Sequence, residues 1–166
     1  GGAGQIRGLV TVAGNPAVST PDSASLERAL SKLEFMVSTD IYLNETTRHA
    51  DVILPGTSPF NDSHYDQFLG SMGYRNNARY SAPVLPLDGR PDEWRTMLGM
   101  AYAIREGRPA TAAELDTFED EIVEAAVARH VGGDGALAGR DTTEILSAIG
   151  PERGMERLLD LGVRAG

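Results

Sequence analysis

Cysteine is absent from all 166 residues. Disulfides, thiolate metal sites, cysteine-ligated iron–sulfur clusters and a cysteine nucleophile are therefore excluded within them. Lysine is almost absent: Lys32 stands alone, and every other basic residue is an arginine. That pattern reads as genome composition before function. Positive charge is scarce: 15 Lys and Arg oppose 24 Asp and Glu, a net charge of −9. A chain this acidic has no electrostatic footprint for duplex nucleic acid or an anionic membrane. No apolar run approaches the roughly 20 residues that span a bilayer, and no signal peptide opens the sequence. His49, His64 and His130 are too scattered for a local His-x-x-x-His zinc pair. The expected setting is cytoplasmic, with the periplasm open.

What is present is ordinary for a folded protein: 41% hydrophobic and 23% charged residues. The length suggests about one domain, and chains of about 150 residues bury roughly 70% of their unfolded surface.

The opening Gly-Gly-Ala-Gly is set aside as a ragged end. Residues 6–12 are β-rich and stop at Gly14-Asn15-Pro16, which predicts a buried strand and a turn. Thr20-Pro21-Asp22 predicts a helix start, with Thr20 as cap and Pro21 at the first helical position. Leu26, Ala29, Leu30 and Leu33 then share one face. Residues 34–40 predict a second strand, residues 44–49 a short helix, and residues 51–54 a third strand. This alternation argues for a parallel α/β unit, Rossmann-like and covered by helices on both faces.

Residues 55–86 show no clear period, which marks a segment that is functional or packs on something else. Residues 92–105 predict a helix with Trp94, Met97, Leu98, Ala101 and Ile104, and Tyr102 beside them, forming its apolar stripe. Helices over 112–130, 142–149 and 155–161 follow. The acidic residues Glu114, Asp116, Glu119, Asp120, Glu121 and Glu124 are expected on a solvated helix face. The fold class is thus an α/β lobe over 5–86 with a helical C-terminal half over 87–166.

Folds of this class place ligands beyond the carboxyl ends of the strands. Three positions qualify: Gly14-Asn15-Pro16, Thr39-Asp40 and Pro55-Gly56-Thr57. A helix start near Pro21 would add free N–H groups and a positive end that favour phosphate. The full Gly-x-Gly-x-x-Gly fingerprint is missing, since only Gly14 is present. Asp40 lies 25 positions after Asn15 and can accept two hydrogen bonds in a fork, from a ribose diol or from the N1–H and 2-amino group of guanine. The competing reading is that Asp40 begins a loop or caps the next short helix.

Gly14-Asn15-Pro16-Ala17-Val18-Ser19-Thr20-Pro21-Asp22, Ser38-Thr39-Asp40-Ile41-Tyr42, Asn44-Glu45-Thr46-Thr47 and Ala50-Asp51-Val52-Ile53-Leu54-Pro55 occur in that order. The ordered set resembles the molybdopterin oxidoreductase family, the dimethyl-sulfoxide-reductase-type group that includes formate dehydrogenases and nitrate reductases. The likeness covers residues 5–86 and extends through Asp92-Glu93-Trp94. Residues 150–164 look like the connector to that family's C-terminal domain.

The resemblance implies a molybdenum or tungsten cofactor held by two molybdopterin guanine dinucleotides, with this segment similar to one guanosine-gripping lobe. Gly14, Asn15, Pro16 and Ser19 would form the turn against the dinucleotide. Thr39 and Asp40 match the pair that reads guanine or ribose, and Asp92 matches an acid that contacts a guanosine. The family's metal ligand, and its [4Fe–4S] cluster where one exists, would lie in a part outside this segment.

The segment also departs from the family's pattern. Where relatives carry a Glu-Lys-Glu-Gly run, this chain has Asn61-Asp62-Ser63-His64. The usual Asn-x-Glu-Gly-Arg run is replaced by Tyr74-Arg75-Asn76-Asn77-Ala78-Arg79, so Arg75 or Arg79 would have to substitute. The chain is expected to be an inactive fragment of a larger enzyme, partnered by the remaining domains and by an electron-transfer protein. Apolar surface near Phe60, Phe68, Met72 and Tyr74 would be uncovered or would pair copies into a homo-oligomer. A stand-alone nucleotide-binding module and a purely structural domain are the rival classes.

Overall fold

The computed structural model describes residues 3–66, 72, 74, 79–150 and 153–166. The chain divides into two compact units, Gly1–Asp88 and Gly89–Gly166.

The first unit holds a parallel sheet of β1 (Gly8–Val12), β2 (Phe35–Thr39) and β3 (Val52–Leu54), in that spatial order. Helices α1 (Pro16–Ser19) and α2 (Ser23–Leu30) lie in the crossover from β1 to β2, and a 3-10 turn (Thr47–His49) precedes β3. This is the α/β architecture, followed by a helical C-terminal half. Side chains help set the register. The Thr11 and Ser38 hydroxyls hydrogen-bond at 2.7 Å across β1 and β2. Asp51 binds Met36 twice: its carboxylate accepts from the Met36 N–H at 2.7 Å and its own N–H donates to the Met36 carbonyl at 2.8 Å.

The helix start differs from the sequence expectation. Proline disfavours helical backbone in the residue before it. Thr20 is accordingly extended (φ −97°, ψ 153°) and closes α1, its N–H and hydroxyl both donating to the Pro16 carbonyl. Pro16 takes the opening position of α1, and the cap of α2 is Asp22, whose carboxylate accepts from the Ser25 N–H at 3.1 Å. The predicted helix over 44–49 shrinks to the 3-10 turn.

The two faces of the sheet are buried unequally. Alternation along the registered strands puts Met36 and Ser38 on one face, where both are buried. The other face carries Val10, Val12, Phe35 and Val52, which are 43%, 53%, 53% and 40% exposed, and Thr39, which is buried. No residue of β1 is fully buried. The described apolar core of this unit is only Ala17, Leu30 and Met36.

Residues 55–66 and 79–86 do contain order. Buried Asn61 donates from its amide to the Pro86 carbonyl at 2.6 Å, and the Phe60 carbonyl accepts from the N–H groups of Val84 and Leu85. An antiparallel ribbon pairs β4 (His64–Asp66) with β5 (Arg79–Ser81). Three-residue strands are too short to leave a period in the sequence. Phe60, Met72 and Tyr74 are exposed. Phe68, Ser71, Gly73 and Arg75 lie outside the described residues, and Arg79 lies on β5.

The second unit is helical: α3 (Glu93–Glu106), α4 (Ala112–Val131), α5 (Thr142–Ala148) and α6 (Met155–Ala165). Asp92, Thr111 and Asp141 cap the first three, and Thr111 with Glu114 makes a full capping box. One core joins Val123, Val127, Leu137, Ile145, Ile149 and Leu161. A second joins Leu98, Tyr102 and Phe118, with Trp94 against it. The inward stripe of α3 thus runs through Trp94, Leu98 and Tyr102, whereas Ala101 and Ile104, expected inside, are exposed, Ile104 by 74%.

The acidic face of α4 is more differentiated than its sequence suggests. Glu114 pairs with Arg108, Asp116 with Arg95, Asp120 with Arg153 and Arg157, and Glu121 with Arg105. Glu119 is wholly buried, because it shares the face of Val123 and Val127 at four-residue spacing. Its Oε1 accepts from the Gly154 N–H at 2.8 Å. Glu119→Ala removes that acceptor and is expected to cost about 1–3 kcal/mol, read from a urea unfolding curve.

The same ion pairs predict a pH dependence. Hydrogen bonds from Arg108, Arg95 and Arg153 hold Glu114, Asp116 and Asp120 below their ordinary carboxylate values of 4.5, 3.8 and 3.8. Groups depressed on folding stabilise the fold above their unfolded pKa, and that stabilisation is lost as pH falls through the folded one. Thermal stability should be level from neutral pH down to about pH 5, then decline steadily below about pH 4.5. A Tm that holds or rises on acidification from pH 4.5 to pH 3 would contradict these pairs.

Candidate functional site

The carboxyl ends of β1 and β2 lie side by side. The ladder extends one residue past each strand, through Ala13 N–H to the Thr39 carbonyl at 2.9 Å and Asp40 N–H to the Leu54 carbonyl at 3.2 Å. Beyond β1 the chain turns through Ala13 (φ 43°) and Gly14 (φ 119°). The Gly14 backbone is one that L side chains rarely adopt, although a Cβ there would meet nothing within 4 Å. Gly14→Ala is therefore expected to cost about 1–3 kcal/mol through backbone strain alone, measured by chemical denaturation. The Asn15 carbonyl accepts from the N–H groups of Val18 and Ser19, both at 3.0 Å, which folds Pro16 and Ser19 into the single turn of α1.

A continuous polar chain then crosses from this turn to the tip of β2. The Asn15 side-chain amide donates to Glu45 Oε2 at 2.6 Å, and Asn15 Oδ1 accepts from the Thr46 hydroxyl at 2.7 Å. That hydroxyl also accepts from the Ala17 N–H at 3.0 Å, and Thr46 is fully buried. Asn44 Oδ1 receives the N–H groups of Thr46 and Thr47, and its Nδ2 donates to Asp40 Oδ2 at 2.9 Å. Asp40 Oδ1 accepts from the Tyr42 N–H at 2.9 Å. Asp40 is half-buried at the strand tip. Each carboxylate oxygen offers about two acceptor positions, and each here has one protein donor. Asp40 therefore organises its own loop, as the plainer reading expected, and still has acceptor capacity.

Thr39 is buried, and its hydroxyl has no hydrogen-bond partner among the described residues. Orphaned buried hydroxyls are uncommon and call for a physical account. The amide of Asn15 holds the Glu45 carboxyl below the ordinary carboxylate value. Arg48, in the same loop, pairs with Glu27 at 2.6 Å.

The structure brings Gly14, Asn15, Pro16, Ser19, Thr39 and Asp40 to one end of the sheet. Asp92 lies in the second unit, where its carboxylate accepts from the Arg95 N–H at 2.6 Å as the cap of α3. The expected positive helix end is not there. The helix after the turn is one turn long, and a carboxylate already occupies the start of α2. Sequence reasoning left Asn44, Glu45 and Thr46 without roles. The usable signal was Asn44 at the head of a short turn segment, Asn44-Glu45-Thr46-Thr47, since Asn side chains accept from N–H groups two and three residues on.

The class defined here is a parallel α/β module with a polar, carboxylate-bearing strand end. Residues 3–92 match the family model described as molybdopterin oxidoreductase, and the chain belongs to that family. The assimilatory nitrate reductase catalytic subunit of Bacillus subtilis is 31% identical over 122 residues, 74% of this chain and 17% of that protein. The F420-dependent formate dehydrogenase subunit alpha of Methanocaldococcus jannaschii is 48% identical over 50 residues, 30% of this chain and 7% of its own. The F420-dependent formate dehydrogenase 1 subunit alpha of Methanococcus maripaludis is 43% identical over 54 residues, 32% and 8% of the two chains. This chain thus spans less than a fifth of these relatives. Among the described residues no helix is long and apolar enough to cross a membrane.

Proposed function

We propose that this chain is a cofactor-binding portion of a larger molybdopterin-dependent oxidoreductase, gripping the guanosine arm of a molybdopterin guanine dinucleotide. The observation that carries the reading is the polar chain Asn15–Thr46–Asn44–Asp40 across the ends of β1 and β2, inside the matched residues. Asp40 presents carboxylate acceptors, which suit paired N–H or O–H donors such as a guanine edge or a ribose diol. Asn15 presents an amide N–H. The orphaned Thr39 hydroxyl adds a polar group that a ligand could satisfy.

The residues fit the organic arm of such a cofactor rather than its metal. Among the described residues no group of three or more His, Cys, Asp or Glu could hold a metal ion. When bound, the cofactor supplies two-electron redox chemistry at molybdenum or tungsten. The residues of this chain bind and orient it. Asp92 belongs to the second unit, with one carboxylate oxygen committed to its helix cap.

In this reading the metal ligand, any [4Fe–4S] cluster and the electron-transfer partner belong to other parts of the assembly. The chain alone is expected to have no turnover. The test is calorimetric titration of the 166-residue chain with GDP, alongside Asp40→Ala. Binding that the substitution abolishes or weakens supports the reading. Binding that it leaves unchanged contradicts the role given to Asp40, and absence of GDP binding in the folded chain supports a structural domain instead.

A further inference from the structure

Asn15 and Thr46 belong to different loops, yet together they fix a property that neither has alone. An asparagine amide has a donor end and an acceptor end, and its hydrogen-bond network decides which points where. The Thr46 hydroxyl accepts from the Ala17 N–H at 3.0 Å, so its own hydrogen is left to donate to Asn15 Oδ1 at 2.7 Å. The acceptor end of Asn15 is thereby held inward against a fully buried residue. The donor end faces the exposed Glu45, whose carboxylate oxygen it meets at 2.6 Å. Reversing the amide would set Asn15 Oδ1 against that oxygen, two acceptors with no hydrogen between them.

We propose that Thr46 is a positioning residue: it fixes the polarity of the Asn15 amide so that the turn presents an N–H donor to an anionic oxygen of the ligand's diphosphate. This rests on the guanosine-arm reading above. Its support in the protein itself is that Nδ2 already holds an anionic oxygen, that of Glu45, at hydrogen-bonding distance. Glu45 occupies the place a phosphate oxygen would take, and it lies on an exposed side chain that can swing away.

Two measurements on Thr46→Val and Thr46→Ser test this, one without ligand and one with it. In the ligand-free protein, the Asn15 side-chain amide protons should show a nuclear Overhauser contact to the Glu45 side chain. That contact should weaken in Thr46→Val, where only the exposed Glu45 carboxylate is left to orient the amide, and return to full strength in Thr46→Ser. With ligand, Thr46→Val should weaken GDP about tenfold, the worth of one hydrogen bond of about 1.4 kcal/mol, and leave guanosine unchanged. Thr46→Ser should bind both as the parent does. Should Thr46→Val fail to fold, Thr46→Ala carries the same test, since it removes the same hydroxyl with a smaller side chain and should lower GDP affinity selectively.

An amide contact as strong in Thr46→Val as in the parent overturns the proposal. So does equal weakening of GDP and guanosine, which is the signature of a loop merely loosened. A parent chain that binds neither ligand overturns the guanosine-arm reading, while the ligand-free measurement still decides whether Thr46 orients Asn15.

Discussion

Met36→Ala is expected to lower the unfolding free energy by about 2–5 kcal/mol, the range for removing a long buried apolar side chain. Met36 is on the central strand and has no exposed surface, and only Ala17 and Leu30 accompany it in the described apolar core of the first unit. A core this small has few side chains able to collapse into the gap, which favours the upper part of the range. The effect should not be shared by its neighbour. Phe35 adjoins Met36 in β2 and is larger, but it points to the open face and is 53% exposed. Phe35→Ser should therefore change stability by about 0.5 kcal/mol or less, as surface substitutions do. Urea unfolding followed by circular dichroism separates the two. Equal losses at both positions would mean that Phe35 is packed as closely as Met36.

This contrast also marks what could be read from the sequence. The three parallel strands, the crossover helix and the helical half were legible, because apolar runs alternate with helical periods and with turn residues. The unequal burial of the sheet's two faces was not. Val10, Val12, Phe35 and Val52 look identical in sequence to residues buried on both sides, and pattern cannot report which layers are present. Pro21 misled in a different way. It marks a favourable first helical position, but it also forces extended backbone on Thr20, and the second effect won. Glu119 resembled its acidic neighbours, and only its four-residue spacing from Val123 and Val127 reveals that it faces the core. At the candidate site, Asn15 and Asp40 were legible from strand-end position. The residues that join them, Asn44 and Thr46, were not, because the link runs between loops about 30 positions apart in sequence and is made by side chains.

The second large effect concerns Asp40. A hydrogen bond to a charged group contributes about 1.5–3 kcal/mol. Losing a carboxylate that accepts two ligand donors should lower GDP affinity by at least about tenfold, and by about a hundredfold if both bonds are well formed. Asp40 also receives Tyr42 N–H and Asn44 Nδ2, so Asp40→Ala loosens its loop as well as emptying the site. Asp40→Asn disturbs the loop less than the alanine change. It keeps an oxygen for the Tyr42 N–H and gives up only the bond from Asn44 Nδ2, where it sets a donor against a donor, and it removes the charge. Its fold should hold while its affinity for GDP falls nearly as far as that of the alanine variant.

The most direct measurement is calorimetric titration of the folded 166-residue chain and its Asp40→Asn variant with GDP, with circular dichroism spectra confirming that both are folded alike. The account predicts saturable binding to the parent and a loss of about tenfold or more in the variant. Equal GDP affinity in the two folded proteins would contradict it.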